Sequence, residues 1–243
     1  MNDSIRAGLD SVIGQVAGQV SDGVAEIKPR LRGWLHLASA PVTLAAGVVL
    51  IALSPTAQTR LGSEVYVACS VLLFSVSALY HRGRWSPRVT GALRRLDHAN
   101  IFLLIAGTYT PFSLLLLHGT DRVVLLTVIW SGALLGVGFR VLWIDAPRWL
   151  CVPIYIALGC AALLVLPQFA AGSERLGVGI GTAVLVLIAV GGLLYIAGGT
   201  VYGFRRPDPW PRYFGFHEVF HSFTVLAFLA HYVGISLATY SLR

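Results

Sequence analysis

The sequence predicts an all-α integral membrane protein, a bundle of seven transmembrane helices without a second domain. Of its 243 residues, 56% are hydrophobic and 12% are charged, whereas a soluble domain carries roughly 25% charged residues. Seven apolar stretches each have the length of about 20 residues that a helix needs to cross a bilayer core of about 30 Å. A transmembrane β-barrel is excluded because the apolar runs are continuous and do not alternate.

The first predicted element is an N-terminal segment, residues 1–33, in which apolar residues recur near helical spacing from Leu9 to Ile27. This pattern indicates an amphipathic helix lying on the inner membrane leaflet. Four glycines between positions 8 and 23 each lower the helix propensity by up to about 1 kcal/mol relative to alanine, so partial disorder is the alternative. Its four acidic residues and the lack of a compact apolar stretch argue against a cleavable signal peptide.

The seven predicted spans follow at about residues 34–53, 62–81, 97–117, 122–142, 149–167, 177–200 and 215–238. Because the connections between them are short, neighbouring helices are expected to pack antiparallel in one membrane domain, residues 34–243. The sixth span is rich in glycine, which indicates close helix packing in a membrane. The three cysteines lie in apolar spans without a CxxC spacing and are predicted to be small buried residues.

The distribution of basic residues predicts the orientation of the bundle. If seven spans cross the membrane, four of the 18 lysines and arginines lie on the side opposite the N-terminus: Arg60, Arg122, Arg175 and Arg243. The other fourteen lie on the N-terminal side, and such an excess marks the cytoplasmic side. We therefore expect a multi-pass protein of the cell membrane with a cytoplasmic N-terminus and an external C-terminus. The net charge of +7 is then a topology signal, and no nucleic-acid partner is expected.

Ionisable residues in apolar spans are costly unless they are paired or bound, and they are candidates for function. His81 ends the second span, Asp97 begins the third and His217 begins the seventh. Under the predicted topology, these ends meet at one depth within the cytoplasmic leaflet. His217 and His221 are four residues apart, so their imidazoles share a helix face about 6 Å apart along the axis. With His81 they form a His₃ set, typical of a zinc site that keeps its fourth position open for water.

Asp97 and Ser77 are predicted to act beside this zinc as catalytic residues. Asp97 is expected to orient or deprotonate the water. Its alternative role is structural, as a cap of the third helix or in a salt bridge with Arg94 or Arg95. Ser77 lies one turn before His81 and is expected to hydrogen-bond the substrate or the water. Its alternative is a bond to the backbone of its own helix.

The remaining ionisable residues of the spans have structural interpretations. Glu218 is predicted to be a carboxylate of the helix N-terminus or a neighbour of the ligands. Three further histidines are predicted to satisfy polar neighbours or helix ends: His36, His98 and His231.

Three segments, in order and in matching spans, resemble a known family. They are SALYH at 77–81, LDHA at 96–99 running into GTYTPF at 107–112, and FHEVFH at 216–221. With them the chain resembles the hemolysin III and progestin/adipoQ receptor family, which includes the adiponectin receptors, from about residue 30 to 243. One departure is the segment RGWLHL at 32–37, where many bacterial members carry paired glutamates and an Asn before Thr-His.

The resemblance implies a zinc ion bound by His81, His217 and His221, with Asp97 contacting the zinc-bound water. The wider group includes the alkaline ceramidases, in which a serine at the position of Ser77 accompanies the site. The resemblance therefore adds hydrolysis as a candidate activity.

The leading functional hypothesis is a zinc-dependent hydrolase acting on a lipid amide or ester that enters from the bilayer. One alternative is a non-enzymatic sensor or regulator of membrane state with a structural zinc and a lipid ligand. Another is an ion or proton pathway along the buried Asp and His residues. A retinal protein is excluded because the one lysine, Lys28, lies outside the spans, and the sequence carries no signal for an oligomeric state.

Overall fold

The computed structural model describes residues 29–243, and the predicted amphipathic helix lies outside these residues. The helices are α1 (Trp34–Ala52), α2 (Ala57–Arg82), α3 (Pro87–Leu116), α4 (Gly119–Leu142), α5 (Arg148–Gly159), a 3-10 helix (Cys160–Val165), α6 (Leu166–Glu174), α7 (Val178–Phe204) and α8 (Phe216–Tyr240). The fifth span comprises α5, the 3-10 helix and α6. Within residues 29–243, seven spans are long and apolar enough to cross a membrane. The predicted fold class is confirmed.

Helices α2 and α3 begin earlier than the apolar pattern predicts, because their first turns are polar and start at residues suited to a helix N-terminus. In α2, the Thr56 hydroxyl accepts a hydrogen bond from the backbone N–H of Thr59 (3.1 Å), and the Thr59 hydroxyl accepts one from the Thr56 N–H (3.0 Å). Helix α3 begins with Pro87, whose fixed φ suits the first helical position. Asp97 therefore lies about three turns inside α3 and not at its start.

The fifth span is not one continuous α-helix. Pro167 stands in the first turn of α6, where its missing N–H prevents an α-helical bond to the preceding turn. Tyr109 of α3 reaches this break: its hydroxyl donates to the carbonyl oxygen of Gly159 (2.6 Å) and accepts from the backbone N–H of Ala162 (2.8 Å). A side chain from a neighbouring helix thus satisfies backbone groups that would otherwise face lipid unpaired.

The most extensive helix contacts join α7 with α8 and α2 with α3. A Cβ added to Gly198 of α7 would lie 2.9 Å from the Cβ of Phe223 in α8, so these helices approach closely because glycine leaves room. The predicted close packing of the glycine-rich span is confirmed. The core between α2 and α8 contains Tyr66, whose hydroxyl donates to the carbonyl oxygen of Phe228 (2.9 Å).

Residues 30–33 cross the end of the bundle at which α2 ends and α8 begins, which we call the histidine end. The backbone N–H of Arg30 donates to the carbonyl oxygen of Arg212 (3.0 Å). Arg32 Nε lies 3.0 Å from Glu218 Oε1, and Glu218 Oε2 accepts from the backbone N–H of Gly215 (2.8 Å). Glu218 is therefore a helix N-terminal carboxylate, as predicted, and it ties the entry of α1 to the start of α8.

Candidate metal centre

Helix ends bring the three predicted histidines together. His81 lies in the last turn of α2, while His217 and His221 lie in the first two turns of α8. The spacing of four residues in α8 places its two rings 4.5 Å apart between centroids. His81 faces them from the neighbouring helix, with its ring 4.8 Å from that of His217 and 5.3 Å from that of His221.

The cluster has the donor set and the spacing of a metal site. One ligand nitrogen from each ring lies within 4.8 Å of the other two. The Nε2 atoms of His81 and His217 are 3.1 Å apart, close to the roughly 3.3 Å expected for two nitrogens at ~2.0–2.1 Å from one tetrahedral zinc. Three imidazoles suit zinc, copper, iron or nickel better than the hard ions Mg²⁺ and Ca²⁺. Within residues 29–243, this is the one cluster of His, Cys, Asp or Glu with metal-ligand spacing.

Asp97 stands beside the cluster. Its Oδ2 is 3.7 Å from His81 Nε2, and the side chain is largely buried. The two structural alternatives for Asp97 are wrong, because α3 begins at Pro87 and Arg94 pairs with Asp145 (3.1 Å). Arg95 donates instead to backbone carbonyl oxygens of its surroundings.

Ser77 lies one turn before His81 in α2, and its hydroxyl is buried. The hydroxyl is near the Asp97 carboxyl, but it forms no hydrogen bond of normal geometry with any residue of the described part of the chain. The alternative of a bond to its own helix is therefore not observed. Ser77 also lines the adjoining cavity.

His36 of α1 was predicted to satisfy a polar neighbour or a helix end, but the structure places it against the histidine cluster instead. Its ring stacks on that of His221, with centroids 3.8 Å apart and planes 14° apart, and it meets the edge of Phe74 at 5.0 Å. Neither ring nitrogen bonds to another residue in the range 29–243. The signal was its position at the start of the first span, where its predicted depth matches that of the other histidines.

Gly33 closes the centre from the histidine end. Its φ of 81° is in the left-handed region, and an added Cβ would lie 2.7 Å from the Cβ of His81. Only glycine combines this conformation with this approach. The segment RGWLHL, a departure from the bacterial pattern, therefore packs directly on the histidine cluster.

His98 and His231, which were also predicted to be structural, differ in how they are bonded. His98 has polar neighbours at both ring nitrogens, with Nδ1 2.8 Å from the Arg94 carbonyl oxygen and Nε2 3.4 Å from the Tyr202 hydroxyl. Its predicted structural role agrees with these contacts. His231 lies deeper in the bundle, where Nε2 is 3.3 Å from the Ile188 carbonyl oxygen.

A cavity of about 530 Å³, which we call the membrane cavity, adjoins the centre. Ser77, Asp97 and His217 line one part of it, and the remaining wall is mainly apolar and extends to Phe169. Leu163 and Leu193 also line it, and they are 66% and 65% exposed on the outer surface of the fifth and sixth spans. The cavity therefore reaches the lipid-facing side of the bundle beside the 3-10 break.

Comparison with known proteins agrees with this architecture. The family model described as "Haemolysin-III related" matches residues 24–232. A "Hemolysin-3 homolog" of Bacillus subtilis (strain 168) is 32% identical over 161 residues, covering 66% of this chain and 69% of the relative. "Hemolysin-3" of Bacillus cereus is 30% identical over 170 residues, covering 70% and 71%.

Animal proteins are also similar over part of the chain. "Progestin and adipoQ receptor-like protein 1" of Caenorhabditis elegans is 26% identical over 195 residues, which is 74% of this chain and 44% of the relative. The match to the family model extends over most of the chain, from the entry of α1 into α8. This multi-pass membrane protein belongs to the haemolysin-III-related family.

Proposed function

We propose that the protein is a zinc-dependent hydrolase that cleaves an amide or ester bond of a bilayer lipid. The observation that carries the proposal is a buried group of three imidazoles beside a carboxylate, at one end of an apolar cavity that reaches the lipid-facing surface. A soluble substrate would not require that route, whereas the acyl chain of a lipid matches an apolar cavity of this size.

The residues fit a catalytic zinc better than a closed structural one. His81, His217 and His221 supply three neutral nitrogen ligands. A fourth position left open for water or substrate distinguishes catalytic zinc sites from structural ones. When bound, zinc would polarise an acyl carbonyl and lower the pKa of water toward about 7.

Asp97 would transfer the water proton, and Ser77 would stabilise the negative charge that develops on the carbonyl oxygen. As a water oxygen adds to the acyl carbon, the Asp97 carboxylate accepts the water proton. Asp97 returns this proton to the leaving nitrogen or oxygen as the C–N or C–O bond breaks. The Ser77 hydroxyl, which lacks a partner among residues 29–243, donates a hydrogen bond to the carbonyl oxygen as negative charge develops there.

A lipid sensor with a structural zinc is the second candidate. The histidine cluster joins α2 to α8, so a metal there would fasten two helices whatever its chemistry. In that case the membrane cavity would hold a lipid ligand without turnover.

The substitution Asp97→Asn separates the two candidates. It preserves size and removes the base, so zinc should stay bound while lipid hydrolysis falls by about 10² to 10⁴-fold. Zinc content and fatty-acid release from a ceramide-like and ester lipid panel are measured on the same purified protein in nanodiscs.

Asp145→Asn is the matched control, because Asp145 is an exposed carboxylate paired with Arg94, and it should retain activity. If Asp97→Asn hydrolyses lipid as fast as an active wild type, the assigned role of Asp97 is wrong. If the zinc-loaded wild type releases no fatty acid from any lipid, the sensor replaces the hydrolase.

A further inference from the structure

A second polar site lies in the membrane cavity, away from the candidate metal centre. His231 of α8 and Tyr195 of α7 both line the cavity. His231 follows His221 by ten residues, a distance of about 15 Å along the helix axis. The rings of His231 and Tyr195 are 5.6 Å apart between centroids, and the surrounding wall is mainly apolar.

Packing fixes the ring of His231 and leaves one nitrogen unpaired. A Cβ on Gly191 would lie 2.4 Å from His231 Nε2, so glycine makes room for the ring. The Ile188 carbonyl oxygen, 3.3 Å from Nε2, requires a proton on that nitrogen, and in a neutral imidazole Nδ1 is then an acceptor. Nδ1 is buried and has no hydrogen-bond partner within residues 29–243.

The Tyr195 hydroxyl also lacks a hydrogen-bond partner within the described residues. It too is buried and bonds to no other residue in the described range. A buried polar group without a partner is destabilising, so two such groups side by side in an apolar wall indicate a missing polar partner. Together they offer one acceptor, Nδ1, and one hydroxyl that donates or accepts.

We propose that His231 and Tyr195 bind a hydroxyl group carried on the hydrocarbon chain of the ligand, about 15 Å from the histidine cluster. A hydroxyl is the group that matches both partners: its proton goes to Nδ1, and its oxygen accepts from Tyr195. A ketone or ester carbonyl has no proton for Nδ1. An ammonium group would have to bury its positive charge in a mainly apolar wall, which is costly. The inference rests on the proposed function, because it names the class of lipid: one with a hydroxylated chain.

Fatty acids test the inference because they are the product class of the proposed reaction. Zinc-loaded protein in nanodiscs is titrated with stearic acid and with its mid-chain hydroxylated counterpart, and displacement of a fluorescent fatty acid is measured. Two buried hydrogen bonds should make the hydroxylated acid bind about tenfold more tightly.

Two variants assign the preference to this site. Tyr195→Phe removes only the hydroxyl, and His231→Phe keeps an aromatic ring while removing the Nδ1 acceptor. Either variant should bring the affinity ratio of the two acids close to one. Thr224→Val is the matched control, because the Thr224 hydroxyl lines the same cavity and already donates to the Phe220 carbonyl oxygen (3.0 Å).

Each remaining outcome overturns the inference. Equal binding of both acids to the wild type would mean that the pair holds a buried water or serves packing alone, with lipid binding intact. A preference that survives in both variants would place the hydroxyl elsewhere. If neither acid binds, the proposed function fails together with the inference that rests on it.

Discussion

The imidazoles of the candidate metal centre differ from that of His98 in what their ring nitrogens face. The ring nitrogens of His98 meet a carbonyl oxygen and a tyrosine hydroxyl. The nitrogens of His81, His217 and His221 converge instead on one another within 4.8 Å. Converging acceptors repel one another unless a proton or a metal ion lies between them.

Removing a clustered histidine should therefore remove the metal. We expect about one zinc per chain in the purified protein, and His217→Ala or His221→Ala should weaken zinc affinity by more than the 10 to 100-fold typical of losing a neighbour of a ligand. The measurement is metal analysis after dialysis against a chelator.

His98→Ala is the control, since it removes a nearby histidine that lies outside the cluster, and its zinc content should remain that of the wild type. Full zinc occupancy in both His217→Ala and His221→Ala would contradict the assignment of the ligands.

The sequence predicted this cluster because a spacing of four residues fixes two rings on one helix face, and topology brings helix ends together. His36 could not be assigned in the same way. Its stacking on His221 depends on the axial position of α1 relative to α8. Gly33 and the Arg32–Glu218 pair fix this axial position. Local spacing contains no information about such contacts between distant segments.

Among the elements, the fifth span is the least regular, and Tyr109 of α3 stabilises its break. Tyr109→Phe removes both hydrogen bonds, to Gly159 and to Ala162, and leaves their backbone groups unpaired in an apolar setting. We expect the free energy of unfolding to fall by about 1–3 kcal/mol, observed as a lower midpoint of thermal unfolding in detergent.

Tyr213→Phe serves as the control, because Tyr213 is half exposed and loses only an accessible hydroxyl. If both variants unfold at the wild-type temperature, the hydroxyl of Tyr109 does not stabilise the break.

The pair of Arg32 and Glu218 joins two elements that are distant in sequence. Arg32→Ala leaves the Glu218 carboxylate, which is 1% exposed, without its cation, and breaking a buried pair costs roughly 3–5 kcal/mol. Thermal unfolding in detergent should show a large loss of stability.

Arg94→Ala is the comparison, since it breaks an exposed pair with Asp145 and should cost no more than about 1 kcal/mol. Equal effects of the two substitutions would show that burial does not strengthen the Arg32–Glu218 pair.

Hydropathy located every span, but it did not locate the ends of the helices. The apolar pattern ends where the bilayer core ends, whereas a helix continues until its backbone is capped. Polar turns therefore extend α3 back to Pro87 and α2 back to Ala57. The break at Cys160–Val165 was also not predicted, because a proline in an apolar span permits a kink, a break or neither.

At the scale of the whole molecule, the orientation in the membrane is a prediction from charge. A cysteine introduced at Arg88, which lies at the histidine end, should be protected from an impermeant thiol reagent in intact cells, because the excess of basic residues marks the cytoplasmic side. A cysteine at Thr120, at the opposite end, should react.

The wild type, with its three native cysteines, gives the background labelling. Reaction at position 88 together with protection at position 120 would reverse the orientation and move the candidate metal centre to the outer leaflet.

Because the membrane cavity extends to the lipid-facing surface, the relevant ligand concentration for this protein is the concentration within the bilayer. Leu163 and Leu193 connect the cavity to the lipid-facing surface, so a ligand that enters there is drawn from the two-dimensional solution of the bilayer. Occupancy then follows the mole fraction of that ligand among the surrounding lipids and not its amount per volume of water. Adding inert lipid would dilute the ligand, even though no molecule leaves the membrane.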